Sequence, residues 1–374
     1  MSHDFLVELG TEELPPTALL KLSNSFTASI KQSLAAETLS FACVESFATP
    51  RRLAVVVKGL DAKTPEKNIE AWGPPKKIAF DADGKPSKAA QAFANKNNIS
   101  LDDLKIENDG KADKLVYRFT QQGTPVAELL PGFVQNALDK LPIAKRMRWG
   151  ASRNEFVRPV HWLVMLLDAT IINCEILGIK ANNITRGHRF HCDTTLAIAN
   201  PASYQALLAD SGHIIASYDE RRALIRQQVE TEGQKVGGHA VISDELLNEV
   251  TGLVEWPTAL TGGFDQRFLE VPAEALISSM AEHQKYFHVV DNKGALLPHF
   301  ITVSNIVSSD PQQVIEGNER VIRPRLSDAA FFFETDKKIT LATRVERLSN
   351  VVFQAKLGTL LDKTQRISTL ACWL

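Results

Sequence analysis

Between Phe156 and Leu167 the chain reads FVRPVHWLVMLL, a nearly continuous apolar run broken only by Arg158, Pro159 and His161. Its uninterrupted core is far short of the roughly 20 residues that a membrane-spanning helix needs. An apolar run of this length, rich in β-branched and aromatic side chains, predicts a central strand, continued by Ile171 to Leu177.

The flanking segments supply partners for such a strand. Asp4 to Leu9 is β-like and stops at Gly10. Leu19, Leu22, Phe26, Ile30 and Leu34 then recur at helical spacing, which predicts an amphipathic helix over Pro15 to Ala36 with Thr11 as its N-cap. Val44 to Phe47 and Leu53 to Val57 read as strands around a turn at Thr49-Pro50. From 63 to 108 the chain turns polar and is punctuated by Pro74-Pro75, Asp83-Gly84 and Pro86, with Ser87 placed to cap a helix over Ala89, Ala90 and Phe93. A strand over Leu115 to Thr120 and a helix over Pro125 to Leu141 follow.

Farther on, Pro201 to Leu208 and Tyr218 to Glu232 read as helices. The segments Leu246 to Trp256, Ala259 to Phe264, Tyr286 to Val290 and Phe300 to Val303 mix strand and helix. Beyond Pro311 the spacing of Ile339, Ala342, Val345, Leu348, Val352, Ala355 and Leu360 is helical, and no terminator precedes Leu374. The fold class expected is therefore α+β and multi-domain, with mixed or antiparallel sheets and packed helices. The expected units are an N-terminal α+β domain over 1–150 with an insertion around 63–108, a second α+β domain over 151–310, and a helical segment over 311–374.

With 44% hydrophobic and 23% charged residues, the chain is not of disordered composition. Its formal net charge of −2 denies it the global basicity of a generic nucleic-acid binder, so any RNA contact must come from local clusters. The four cysteines, Cys43, Cys174, Cys192 and Cys372, are scattered and read as reduced, mostly buried thiols of a cytoplasmic protein. The N-terminus lacks the pattern of a signal peptide.

Catalytic constellations are not found: no phosphate-binding Gly-rich loop, no dinucleotide fingerprint and no nucleophile elbow. Glu12-Glu13 reads as charge complementing a helix N-terminus, since neighbours on one turn do not face each other across a substrate. His161 reads as a packed side chain in an apolar strand. His188 and His191, three apart in TRGHRFH, have only Cys192 and Asp193 as further ligands nearby and make a weak metal site. No catalytic residue, metal or bound cofactor is expected.

Local basic clusters are the stronger signal. KRMRWG brings together Lys145, Arg146 and Arg148 beside Trp149, with Glu155 the one acid opposing them before Arg158. Lys180 to His191 carries Arg186 and Arg189 with no acid. Guanidinium groups hold phosphates bidentately and aromatic neighbours stack on bases, so Lys145, Arg146, Arg148, Arg186 and Arg189 are the candidate RNA-binding residues. Arg51-Arg52 and Arg320, Arg323 and Arg325 read instead as donors to intramolecular pairs at turns.

ELGTEELPP, TPRRLAV, KRMRWG, FVRPVHWLV, TRGHRF, LLNEVTGLVEWP, FLEVPAEALISSMAEHQKYF, HFITVSNI, GNERVIRPRLSDAAFFFETD and KLGTLLDKTQRI occur in this order along the whole chain. In these blocks the sequence resembles the β subunit of bacterial glycyl-tRNA synthetase. The resemblance implies an α2β2 glycine–tRNA ligase in which the α subunit activates glycine with ATP. The β subunit supplies tRNA binding, so the expected partners are that α subunit and glycine tRNA, with no membrane. It also implies a longer subunit, of which this is the N-terminal part, with a His-Asp-type helical domain and an anticodon-binding domain expected beyond Leu374. The leading expectation is a non-catalytic subunit that docks the α subunit and the acceptor side of the tRNA. The alternative is a purely structural module for the α subunit. A third reading, a hydrolase with an editing role, would need a polar cleft with a positioned base around His188 or His283. Exposed apolar surface near QKYF and AFFFE would favour docking.

Overall fold

A five-stranded antiparallel sheet organises the first half of the chain. In the computed structural model, which describes residues 2–81, 84–108 and 110–374, its elements are β1 (Ser2–Thr11), α1 (Pro16–Ala36), β2 (Cys43–Thr49), β3 (Arg52–Asp61), α2 (Val126–Asp139), β4 (Val160–Leu167) and the two-residue β5 (Thr170–Ile171). The strand order is β5-β4-β1-β3-β2. The apolar run thus becomes β4, antiparallel to β1 with Leu163 opposite Leu9 and Leu167 opposite Phe5. The first sheet takes this strand from beyond residue 150.

Strand alternation explains why Phe5 to Leu9 of β1, Glu8 apart, and Trp162 to Leu167 of β4 are apolar on both faces. Phe5, Val7, Leu9, Leu163 and Met165 face α1 and α2, packing on Leu19, Leu22, Phe26, Ile30, Leu130 and Val134. Leu6, Trp162, Val164 and Leu166 face the opposite way, against Ile198, Tyr204, Leu208 and Ile214. A sheet covered on both faces reads as near-continuous apolar runs along its inner strands. Thr11 is buried as the last residue of β1, and α1 begins at Pro16 with no side-chain cap and no acid in its first turn. The expected roles of Thr11 as N-cap and of Glu12-Glu13 as helix-end charges therefore give way to a strand end that carries both carboxylates toward other groups.

The polar stretch folds together with the strand that follows it. Lys67–Pro75, Asp113–Gln121 and Lys105–Asn108 form a three-stranded antiparallel sheet with Asp113–Gln121 in the middle. Its small core holds Ala79, Ala90 and Leu115. Ser87 caps the helix Lys88–Lys96, its Oγ accepting from the Ala89 and Ala90 amides at 3.1 and 3.4 Å. Asp83, half of the expected Asp-Gly turn, lies outside the described residues.

In the second half, α3 (Tyr218–Lys235), α4 (Asp244–Thr251), β6 (Thr258–Gly263), β7 (Phe287–Val290) and β8 (Leu296–Ser304) build a four-stranded antiparallel sheet, completed by His239–Ala240 beside β7, with helices packed on it. Its core unites Ile225, Val229, Leu247, Phe287, Val289 and Ile301. The 27-residue helix α5 (Pro311–Lys337) lays Ile322 and Leu326 onto a cluster of Phe268, Leu276, Met280, Tyr286 and Phe300.

Helical spacing after Ile339 is only partly realised. The helix Leu341–Val345 gives way to a 3-10 turn and to a hairpin of Val352–Gln354 with Gly358–Thr359. Val351, Val352 and Phe353 favour extended backbone, and Gly358 takes φ +83°, which Cβ-bearing residues resist. Thr359 and Asp362 then close a capping box that starts the helix Leu360–Trp373. The cysteines are free, but Cys43 and Cys372 are exposed and Cys174 and Cys192 only partly covered, so the expectation of mostly buried thiols does not hold. Among the described residues no helix is long and apolar enough to cross a membrane.

Candidate nucleic-acid interface

Glu8 sits in the middle of β1, wholly buried. An isolated carboxylate there would be prohibitively costly, and the fold surrounds it with donors. Arg52 Nη1 lies 3.2 Å from Oε2, and the Tyr204 hydroxyl donates to Oε2 at 2.5 Å. The Trp162 indole N–H and the Thr185 hydroxyl donate to Oε1. Burial alone would lower the Arg52 pKa, but the carboxylates of Glu8 and Glu255 more than offset it and hold the guanidinium firmly charged. Burial, and then the negative charge of Glu8, push the Tyr204 hydroxyl well above its ordinary range. Glu255 joins from the loop after α4, its Oε1 accepting from the Thr49 hydroxyl at 2.6 Å. Arg221 in α3 is equally buried and donates to the carbonyls of Ala48, Ile215 and Thr251, which ties the second half of the chain to the first sheet. Arg51 and Arg52, expected to pair intramolecularly, are both buried, and Arg52 does so here.

From this network the structure reaches the surface. Arg52 Nη2 donates to the Arg186 carbonyl at 2.7 Å, pinning the start of the TRGHRFH segment. The Arg186 guanidinium lies 5.4 Å from the Trp162 ring centroid, with Arg51 and Arg52 each at 5.8 Å, so three cations surround one indole. His188 is fully buried, and its Nδ1 accepts from the Phe190 and His191 amides at 3.2 and 3.3 Å. That assignment leaves the ring proton on Nε2, which has no partner among the described residues. His188 thus shapes a loop rather than facing a substrate. Among the described residues, no three His, Cys, Asp or Glu side chains gather to hold a metal.

Arg189 reaches back to the end of β1, with Nη2 2.9 Å from Glu12 Oε2 and Nη1 3.7 Å from Glu13 Oε1. His161 Nε2 lies 3.2 Å from Glu12 Oε1. The expectation of a packed His161 is overturned: Thr11 pairs with Val160 while Gly10 pairs with Trp162, so His161 is the extra residue of a β-bulge, swung out of the core. Burial would raise the Glu12 pKa, but the Arg189 bond, aided by His161 and Arg51, keeps it below the usual carboxylate value.

The other nominated cluster lies on a separate hairpin, Met147–Arg148 paired with Glu155–Phe156. Arg148 donates to Glu155 at 2.6 Å and Arg146 to the carbonyl oxygens of Asp139 and Glu155 at 3.2 and 3.5 Å. Trp149 is half-buried against the first core. Lys145 is exposed. Thus Arg186 and Lys145 are the nominated cations least engaged by the protein, whereas Arg146, Arg148 and Arg189 have internal acceptors. Arg320, Arg323 and Arg325, expected to pair at turns, stand exposed on α5 with no ion pair among the described residues.

Sequence reasoning passed over Glu8, Tyr204, Thr185, Trp162 and Glu255. The one signal was an acid inside the otherwise apolar FLVELG. Five of the sequence blocks converge here: ELGTEELPP supplies Glu8 and Glu12, TPRRLAV supplies Arg52, FVRPVHWLV supplies His161 and Trp162, TRGHRF supplies the loop, and LLNEVTGLVEWP supplies Glu255.

Comparison with known proteins accords with those blocks. Residues 5–374 match the family model described as glycyl-tRNA synthetase beta subunit. The glycine–tRNA ligase beta subunit of Hahella chejuensis is 57% identical over 373 residues, covering 99% of this chain and 54% of that protein. Its counterpart in Marinobacter nauticus is 53% identical over 371 residues, covering 99% of this chain and 54% of that protein. The Chromohalobacter salexigens protein of the same name is 51% identical over 373 residues, covering 100% and 54% respectively. The chain therefore spans about half the length of the curated relatives it matches, and with a family match that runs from residue 5 to its last residue it belongs to the glycyl-tRNA synthetase beta subunit family.

Proposed function

We propose that this chain serves the attachment of glycine to its tRNA as part of a beta subunit, by contacting the tRNA and docking an α subunit, without carrying out the chemistry itself. Family membership over almost the whole chain is the observation that supports this reading. In it, an α2β2 assembly works in the cytoplasm and ATP is used by the α subunit rather than bound by this chain. Lys145, Arg146, Arg148, Arg186 and Arg189 are the RNA-facing cations. Arg186, exposed and held over Trp162 with its backbone anchored by Arg52, is the best placed of them to meet a phosphate.

For docking, the two expected apolar segments differ. Tyr286 and Phe287 of QKYF are core residues, whereas Phe331 and Phe332 of AFFFE are 64% and 63% exposed. Such an aromatic pair on α5 suits a protein interface. A purely structural role without RNA contact is favoured by one observation, the internal pairing of Arg148 and Arg189. Separate titrations of the protein with glycine tRNA and with α subunit test the proposal. Binding to both is expected, and binding to α subunit alone at low salt would leave the structural role standing in its place.

A further inference from the structure

Phe190 is 74% exposed, yet the turn that presents it is pinned from several directions. The His188 amide donates to the Gly212 carbonyl at 2.8 Å, and the Cys192 amide to the His188 carbonyl at 2.9 Å. His188 Nδ1 takes the amides of Phe190 and His191, and His191 Nε2 accepts from the Val307 amide at 3.0 Å. Gly187 has no room for a side chain: a Cβ there would lie 2.5 Å from Cys192 Sγ. A loop this tightly determined does not leave a large aromatic in water through slackness. The arrangement fixes the backbone that presents the ring, so little backbone ordering entropy remains to be lost on binding.

What surrounds the ring indicates its partner. Arg186 and Arg189 both precede Phe190 within the same short segment and both are exposed. A protein hot spot is normally set in apolar surface, and here the chain neighbours carry cations, Arg189 paired with Glu12 and Glu13 and Arg186 with no carboxylate partner among the described residues. One aromatic face beside guanidinium groups is the chemistry that takes an unpaired nucleobase on the ring and the adjoining phosphates on the cations.

We infer that Phe190 is a base-stacking residue, which receives an unpaired nucleotide of an RNA while Arg186 holds a neighbouring phosphate. This rests on the RNA-contact reading above and deepens it, because it assigns single-stranded rather than helical RNA to this loop. A lone exposed phenylalanine carries little weight by itself. The bonds that fix its turn are the second observation.

The test uses a fluorescein-labelled twelve-nucleotide oligo(A) and a duplex RNA of equal length, titrated by anisotropy against the protein and its Phe190→Leu, Phe190→Tyr and Arg186→Gln variants. Phe190→Leu should weaken oligo(A) binding by about 5- to 150-fold, the range for one base–aromatic stack, with duplex binding unchanged. Phe190→Tyr should restore it, and Arg186→Gln should weaken both RNAs. If Arg186→Gln weakens binding while Phe190→Leu matches wild type on oligo(A), the stacking role is overturned and the RNA-contact reading survives. If wild type binds neither RNA, both fall. Loss of α-subunit binding in Phe190→Leu with intact RNA binding would overturn the inference in favour of a protein pocket.

Discussion

The carboxylate of Glu8 and the guanidinium of Arg52 meet at 3.2 Å with neither side chain exposed to solvent. Their strands are neighbours in the first sheet, and Arg52 in turn holds the Arg186 carbonyl. The pair therefore links the core to the loop that carries the proposed RNA contacts.

Removing one member should cost more than the pair itself contributes. Arg52→Met leaves a buried carboxylate short of its cation, and a loss of about 3–5 kcal/mol of stability is expected. Glu8→Gln/Arg52→Met, which removes both of these charges and leaves only Glu255 of the network's carboxylates, should recover part of it. Urea unfolding followed by circular dichroism reads both.

Glycines separate close packing from open space. A Cβ on Gly10 would lie 1.8 Å from Trp162 Cε2, inside the indole that donates to Glu8. Gly10→Ala should destabilise by about 1–3 kcal/mol or more, as overpacking does. Gly132, exposed within α2, has nothing within 4 Å of its would-be Cβ. Gly132→Ala should stabilise by about 0.5–1 kcal/mol, so thermal melting should move the two variants in opposite directions.

His191 gives the loop a pH dependence. Burial first, then the charges that His188 and His213 can carry, hold its pKa below 6.5. The folded protein therefore keeps the ring neutral at a pH where the unfolded chain already binds a proton. Stability rises with pH across that interval, and the contribution is present above pH 6.5 and lost as pH falls through the folded pKa. Protonation also removes the acceptor of the Val307 amide. An NMR titration should show His191 titrating below 6.5, with faster hydrogen exchange at Val307 over the same range.

Much of this architecture is legible in the sequence, and the misses have physical reasons. Leu19, Leu22, Phe26, Ile30 and Leu34 announce α1 because helical spacing is local, and WLVMLL announces the body of β4 because a strand covered on both faces is a near-continuous apolar run. Glu8, Arg52 and Glu255 could not be joined, since each partner lies on a distant segment brought close only by the sheet. His161 looked packed because a one-residue bulge leaves no mark in composition. Val352 fits helical spacing yet lies in a hairpin, where its β-branched neighbours and Gly358 outweigh the pattern. At the interface, Arg186 and Arg189 stand out as local charge, but the Glu12 that engages Arg189 lies at the far end of the first sheet's central strand. The exposure of Phe190 depends on a buried histidine whose role no pattern shows.

Glu12 should act as a restraint on RNA contact. Glu12→Gln removes the charge that Arg189 and His161 face, freeing the guanidinium. Tighter RNA binding with a steeper salt dependence is expected, checked by anisotropy titration at several KCl concentrations.

The central claim, RNA contact through the Arg186–Arg189 loop, is tested most directly by one salt series. Glycine tRNA is titrated with the protein and with Arg186→Gln/Arg189→Gln from low to moderate KCl. The account predicts weaker binding by the variant and a shallower slope of log affinity against log salt, by about one to two for two lost phosphate contacts. Superimposable curves for the two proteins would contradict it.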